Sequence, residues 1–292
     1  MAVVSYSLED GEPAGAGLAR VIAEQVGKLT AECEKAAEDP AAFVHKARVR
    51  CKRIRAALRL LRPAIGRATY AEENGWWRDA ARGLSELRDL TARSEALAAV
   101  GPEIEAEIGA VVFRRLRWQF DRERRIHETT AGQDDPIGAF CADLAGYDLS
   151  RIEDADHEGH KALAQALART YGKARAAMYA AYEGDAPDLF HEWRKQTKYH
   201  ALQLRLVRRI YPGLQPSIQA ARDLAELLGA VQDIEVLVSG LSHGRDGHII
   251  TALEVRRRAM LEGARVAGEA LFPLKPKAWS KALDRQTAEA DL

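Results

Sequence analysis

The chain has 292 residues, and its 43 Lys and Arg balance 43 Asp and Glu, so the formal net charge is zero. This length is sufficient to bury a large core, and the balanced charge excludes a molecule-wide attraction to nucleic acid or membrane surfaces. Any site for a polyanion must therefore come from local clustering of basic residues.

Apolar residues recur at steps of three and four in a chain rich in Ala, Leu, Arg and Glu. This spacing predicts helices. Gly and Pro clusters at residues 11–17, 131–136, 211–216 and 244–247 predict breaks between them. We therefore expect an all-α fold with about eight main helices of ordinary length.

The N-terminus lacks the basic and apolar run of a signal peptide, and no apolar stretch is long enough to cross a membrane. The cysteines Cys33, Cys51 and Cys141 are scattered and odd in number. They therefore indicate neither a disulfide framework nor a paired metal site. These features predict a soluble protein of the reducing cytoplasm that does not bind membranes.

The first strongly basic helix is predicted to begin at Asp39-Pro40, an N-cap residue followed by a first-turn proline. Its cationic residues follow steps of three and four, which places them on about a third of the helix circumference. This stripe lies next to an apolar stripe that should pack into the protein. The basic stripe consists of His45, Arg48, Lys52, Arg55, Arg59 and Arg62.

No Asp or Glu occurs between His45 and Tyr70 to neutralise this stripe. Such crowding costs stability through like-charge repulsion. A helix that needed charge only for solubility would mix both signs, so the pattern indicates that an external anion supplies the countercharge.

The same pattern returns 146 positions later, after a second helix start at Pro187-Asp188. Five of the six stripe positions keep their chemistry, while Ala201 replaces the counterpart of Arg55. The retained residues are His191, Arg194, Lys198, Arg205 and Arg208. Arg53 and Lys195, which stand beside the two stripes, are further candidates for binding.

A second segment supports the repeat, because residues 81–90 are echoed 144 positions later by residues 225–234. Two segments with nearly one offset predict two antiparallel four-helix bundles related by a pseudo-twofold axis. We expect a single domain over residues 1–292, with repeats at 15–130 and 151–270 and a C-terminal tail at 271–292. The two repeats would be joined near residues 131–150.

Arginine-rich stripes suit phosphate, because a guanidinium group can bind two phosphate oxygens at once. A single basic run usually only solvates a helix face, and the repetition is what favours binding. Each motif histidine has two open interpretations: a neutral donor or anion-linked switch, or a bond to a nearby carbonyl or carboxylate. His200, at the place of Ile54 on the apolar face, is predicted to be a core residue.

These motifs resemble the conserved histidine α-helical domain, known as CHAD, whose signature is a duplicated His-x-x-Arg-x-x-x-Lys/Arg helix. The resemblance spans residues 15–270 and includes Trp77-Arg78-Asp79, Leu87-Arg88-Asp89 and Gln232-Asp233. It implies two helical bundles with a basic cleft or pore, a cytoplasmic location, and binding of inorganic polyphosphate, sometimes at polyphosphate granules. Two departures from the family pattern, Ala201-Leu202 and Gln232, imply weaker binding by the second repeat.

Catalysis is not expected, because the sequence lacks a phosphate-binding P-loop, a serine nucleophile elbow and a zinc-protease helix. We predict no cofactor. The acids and histidines at 154–160 resemble a metal site, but acids at a helix start also stabilise its dipole, so we predict no metal.

Two alternatives to polyphosphate stay open. Binding of a nucleic-acid backbone would use the same arginines, although few aromatic residues stand among them to stack on bases. The second alternative is a phosphohydrolase or phosphotransferase that uses His45 or His191. Against it, the sequence has no carboxylates near these histidines that could hold a catalytic metal.

Overall fold

The computed structural model describes residues 6–84, 96–98, 105–106, 108–130, 135–153 and 159–290. All regular secondary structure in these ranges is helical, which confirms the predicted all-α class. In the same ranges, no helix combines the length and the apolar character needed to cross a bilayer. The described α-helices are α1 (Ala14–Cys33), α2 (Pro40–Gly83), α3 (Ala110–Thr130), α4 (Pro136–Ala145), α5 (Ser150–Glu153), α6 (Gly159–Gly184), α7 (Pro187–Leu206), α8 (Gln215–Ser239), α9 (His243–Leu271) and α10 (Pro276–Ala290), and a 3₁₀ turn (Pro212–Leu214) precedes α8.

Helix α2 begins where the sequence predicts. The side chain of Asp39 accepts a hydrogen bond from the Ala42 N–H at 3.0 Å, and Pro40 occupies the first turn. The helix is broken at Gly66, whose φ of 79° favours glycine. The basic stripe, which ends at Arg62, therefore lies wholly on the first segment of α2.

Helix α7 also begins at its predicted proline, Pro187, but without a side-chain cap. Ala186 is the N-cap residue, and Asp188 instead places its charge in the first turn, where it can stabilise the helix dipole. The two motif helices thus share a first-turn proline but not a side-chain cap.

The core is shared by helices from both predicted repeats. Leu116 and Phe120 of α3 are both 2% exposed and pack with Ile234 of α8 and Ile249 of α9. Helix α4, in the predicted linker, packs its Phe140 ring against the N-terminal part of α2. Two bundles related by a pseudo-twofold axis stay a prediction.

The last helix, α10, packs against α6. Its Trp279 ring stacks on Tyr171 with ring centroids 4.5 Å apart. Together with Phe272 these rings surround His200, which is 1% exposed. Burial lowers the pKa of His200 to about 3. The prediction that His200 is a core residue is confirmed.

The predicted break at residues 244–247 is reduced to a kink inside α9. The chain only kinks at Asp246, whose carboxylate is buried. That carboxylate accepts hydrogen bonds from the Ser242 N–H at 3.1 Å and from Arg115 of α3 at 2.5 Å. Side-chain contacts with another helix therefore hold together a turn that two glycines alone would weaken.

The structure contains a disulfide that the scattered cysteines of the sequence do not indicate. Cys33 and Cys141 form a disulfide with their Cα atoms 5.8 Å apart, and Cys51 is a buried free thiol. The packing of the end of α1 against α4 brings the two together across 108 positions of sequence. Disulfides are rare in reducing compartments, so the cysteines do not support the predicted cytoplasmic location. That location stays a prediction.

Candidate functional site

Helices α2 and α7, which carry the two basic stripes, cross in direct contact. The side-chain amide of Gln203 donates to the Ala56 carbonyl at 3.1 Å. One turn away, the guanidinium carbon of Arg59 lies 3.6 Å from the centroid of the Tyr199 ring. Because the residue number rises on α2 as it falls on α7, the helices cross in antiparallel sense.

This crossing keeps the two motif histidines apart. His45 precedes Ala56 by 11 residues and His191 precedes Gln203 by 12, which puts each histidine about 17 Å from the crossing, on opposite sides of it. Both imidazoles are exposed. The two histidines therefore lie at opposite ends of the crossing pair of helices.

A basic cluster lies on one side of the crossing, where α6 packs against α2. Partial burial lowers the pKa of Lys173, and Arg59 and Arg62 lower it further. Burial and then Arg62 lower the pKa of Arg169. We call this group the α2–α6 cluster; its members are Arg55, Arg59, Arg62, Arg169 and Lys173.

Neutral groups make the closest contacts with the arginines of this cluster. The Asn74 side-chain oxygen accepts from Arg55 at 3.1 Å and from Arg59 at 3.2 Å. Arg62 lies over the Tyr70 ring, 5.3 Å from its centroid. Burial and the neighbouring Arg59 both lower the pKa of Arg55. Asp79 also acts on Arg55, but it pairs with Arg78. Among the described residues the cationic charges are thus only partly compensated.

The carboxylate of Glu192 acts on Lys173, but it is shared with other donors. It pairs with Lys195 and accepts from Gln196 at 2.6 Å. Burial raises the pKa of Glu192, but these donors outweigh burial and hold the pKa below its ordinary value. Lys195, a predicted binding residue, is exposed, and its ammonium group pairs with Glu192 of the same helix.

The other side of the crossing is covered by the N-terminal segment. Burial and the nearby Arg205 lower the pKa of Arg53. Tyr6, 3% exposed, donates its hydroxyl to the Arg53 carbonyl at 2.9 Å and places its ring 5.4 Å from the Arg53 guanidinium. Leu8 continues this contact with a backbone hydrogen bond to Leu206 of α7 at 2.8 Å.

A carboxylate from α1 reaches the acid-free stretch of α2. Glu32 pairs with Arg50 at 2.6 Å. The Gln25 side chain accepts from Arg50 at 3.3 Å and from Arg53 at 3.4 Å. Part of the charge that appears uncompensated in the sequence is therefore neutralised by the fold, on the face away from the α2–α6 cluster.

The motif arginines Arg48 and Arg194 are held by helical segments that follow them. Arg48 donates to the Ala81 carbonyl at 3.5 Å, and Arg194 donates to the side-chain oxygen of Gln232. A Cβ atom at Gly229 would lie 3.2 Å from a terminal nitrogen of Arg194, so the glycine leaves room for the guanidinium. The remaining stripe residues are half-buried; they are Lys52, Lys198, Arg205 and Arg208.

Arg169 and Lys173 are absent from the predicted site. Their signal in the sequence is a pair of cations one helical turn apart, on the helix that immediately precedes the second motif helix. The predicted motif residues Arg88 and Asp89 lie outside the described residues, as do residues 154–158 of the weighed metal site. Elsewhere in the described part of the chain, no group of His, Cys, Asp and Glu is arranged to hold a metal ion.

Comparisons with known proteins agree with this architecture. A family model described as the CHAD domain matches residues 20–241. The crystal structure of the CHAD domain from the plant Ricinus communis superposes with a TM-score of 0.50 at 17% sequence identity, covering 93% of this chain and 90% of that chain. Among curated proteins, none matches this chain. At this level of identity the structural similarity supports the fold alone.

Proposed function

Because the chain belongs to the CHAD domain family, which matches it over residues 20–241, we propose that it binds inorganic polyphosphate and does not cleave it. The observation that carries the proposal is the α2–α6 cluster. It gathers five cations from two helices around neutral partners and an acid that other donors share. An external anion would supply the missing countercharge.

A linear polyanion suits this arrangement better than a compact one. The histidine ends of α2 and α7 lie on opposite sides of the crossing, so a ligand that reaches both extends over up to about 35 Å, the helix rise summed along both arms. Guanidinium groups can each bind two oxygens of such a chain. We further propose that the two repeats form pseudo-symmetric bundles with a basic cleft between them, and that the protein acts in the cytoplasm at polyphosphate granules.

Binding without turnover follows from the chemistry of the cluster. Its arginines and lysine can neutralise and position phosphates, but cleavage of a phosphoanhydride also needs a positioned water or nucleophile. His45 and His191 are exposed and lie far from each other across the crossing. They are therefore proposed to contact the ligand rather than to act together on one phosphorus atom.

The test is a titration of the whole chain with polyphosphate of defined length, with phosphate release followed in parallel. Arg48→Ala with Arg194→Ala should weaken binding by about 1.5–3 kcal/mol per lost charged contact. Arg258→Ala with Arg285→Ala, which removes two exposed arginines from α9 and α10, is the charge-matched control. Arg50 is unsuitable as a control, because it pairs with Glu32.

Two results would contradict the proposal. Release of phosphate by the pure protein would show an enzyme. Equal losses of affinity from the two double variants would show diffuse attraction and not a site. Competition with single-stranded DNA at the same salt concentration tests the nucleic-acid alternative at these helices. That alternative requires that DNA displace polyphosphate and that the Arg48 and Arg194 variant bind DNA more weakly.

A further inference from the structure

Helix α3 carries a line of exposed side chains outside the α2–α7 crossing. At 100° per residue these side chains fall within about 80° of the helix circumference and extend over about 21 Å. Trp118 is 60% exposed and Val111 is 73% exposed. We call this line the α3 stripe; its members are Val111, Arg114, Trp118, Arg122 and Arg125.

The exposure of Trp118 does not reflect a missing core. The opposite face of α3 buries Leu116 and Phe120 against α8 and α9, and Arg115 anchors the helix to the buried Asp246. The helix is therefore held in place by its own apolar face and by an ion pair whose carboxylate is buried. A large exposed aromatic ring on a fixed helix is available for a ligand.

Arginines flank this ring along the helix axis. The guanidinium carbon of Arg122 lies 5.6 Å from the centroid of the Trp118 ring, and exposed Arg114 stands one turn before it. The carboxylate of Asp121 lies at the edge of the stripe, but the three arginines of the stripe outnumber it. This exposed ring differs from the aromatic contacts of the α2 and α7 stripes, where the Tyr199 ring that packs against Arg59 is buried.

We propose that the α3 stripe binds single-stranded nucleic acid, with a base stacked on Trp118 and adjacent phosphates contacted by Arg114 and Arg122. An aromatic platform within a basic track is the arrangement that single-strand binding uses. Inorganic polyphosphate has no base, so it would leave Trp118 without a role. A membrane-surface helix would need a continuous exposed apolar face, whereas the apolar face of α3 is buried in the core.

The test uses the whole chain and a fluorescein-labelled oligonucleotide of about twenty thymidines, a length that exceeds the site size of a single binding fold. Trp118→Ala should weaken binding about tenfold or more, while Trp118→Phe, which keeps a ring, should retain most of the affinity. Arg114→Ala with Arg122→Ala should make the slope of log affinity against log salt concentration less steep by about 1.4.

Two matched controls accompany these variants. Tyr179→Ala removes another exposed ring, which lies 4.7 Å from the Arg175 guanidinium on α6. Arg258→Ala with Arg285→Ala removes the same charge as the α3 double variant. Neither control should change oligonucleotide affinity by more than about twofold, because neither lies on a basic track with a ring. Circular dichroism should show unchanged helix content in every variant.

Several outcomes would overturn the α3 proposal. They are the absence of oligonucleotide binding, equal losses from Trp118→Ala and Tyr179→Ala, or oligonucleotide binding that disappears in the Arg48 and Arg194 variant while Trp118→Ala retains it. The last result would place the oligonucleotide on α2 and α7. Polyphosphate affinity should be unchanged by Trp118→Ala, so the two proposals can fail separately.

Discussion

Replacing Arg169 and Lys173 by alanine tests whether α6 contributes to the polyanion site. Both side chains are exposed, and both pKa values are lowered by partial burial and by cations of α2. Since solvent screens exposed charges, each lost contact should cost about 1–1.5 kcal/mol, at the lower limit for a charge-assisted hydrogen bond. The pair should therefore lower polyphosphate affinity about 30- to 150-fold.

Stability should change in the opposite direction. Removing two cations relieves repulsion on Arg62 and Arg59, so the free energy of unfolding should stay equal or rise. The assay is isothermal calorimetry with polyphosphate of one length, beside a thermal melt of the same sample without ligand. Arg258→Ala with Arg285→Ala serves as the control. A similar affinity loss in that control, or a lower melting temperature in the α6 variant, would refute the assignment of Arg169 and Lys173 to the site.

Three further predictions concern salt, pH and the packing of a motif arginine. If six cations contact phosphates, log affinity for polyphosphate should fall with log salt at a slope of about −4, and a slope near zero would indicate another ligand class. The folded chain keeps His200 neutral with its pKa near 3, whereas the unfolded chain takes up a proton below pH 6.5. Stability should therefore fall by about 2.3 kcal/mol from pH 6.5 to 4.5; denaturant melts should show that His200→Phe removes this loss and His243→Phe does not. Gly229→Ala should gain up to about 1 kcal/mol in helix propensity yet bind polyphosphate several-fold more weakly, because the added Cβ would lie 3.2 Å from Arg194; calorimetry that finds equal affinity would contradict this.

Local signals account for the parts of the fold that the sequence predicts well. Asp39 and Pro40 determine the start of α2 through a cap and a fixed φ angle, which act within one turn. The Cys33–Cys141 disulfide and the reduction of the predicted break at residues 244–247 to a kink depend on partners from distant segments. Periodicity and turn propensity carry no information about such partners, and these are the features on which the predictions fail.

The same division applies to the candidate site. Steps of three and four on α2 identify a face that includes Arg59, but they do not show which groups face it from other helices. Asn74 binds Arg59, and Tyr199 of α7 packs against the same guanidinium. Lys173 approaches from α6. Only the packing of three helices reveals that one part of the first stripe has cationic neighbours, while Arg50 has an acidic one.

The antiparallel crossing makes the two repeats unequal as proposed binding surfaces. On one side Arg59 of α2 meets an aromatic ring, Tyr199, and the cations of α6 enlarge the cluster. At the corresponding place on the other side Arg205 meets a second cation, Arg53, and Tyr6 covers the pair. A repeat in sequence thus leads to one basic cluster open to an anion and one site covered by the chain itself. Since α2 and α6 belong to different repeats, the open cluster requires both halves of the chain.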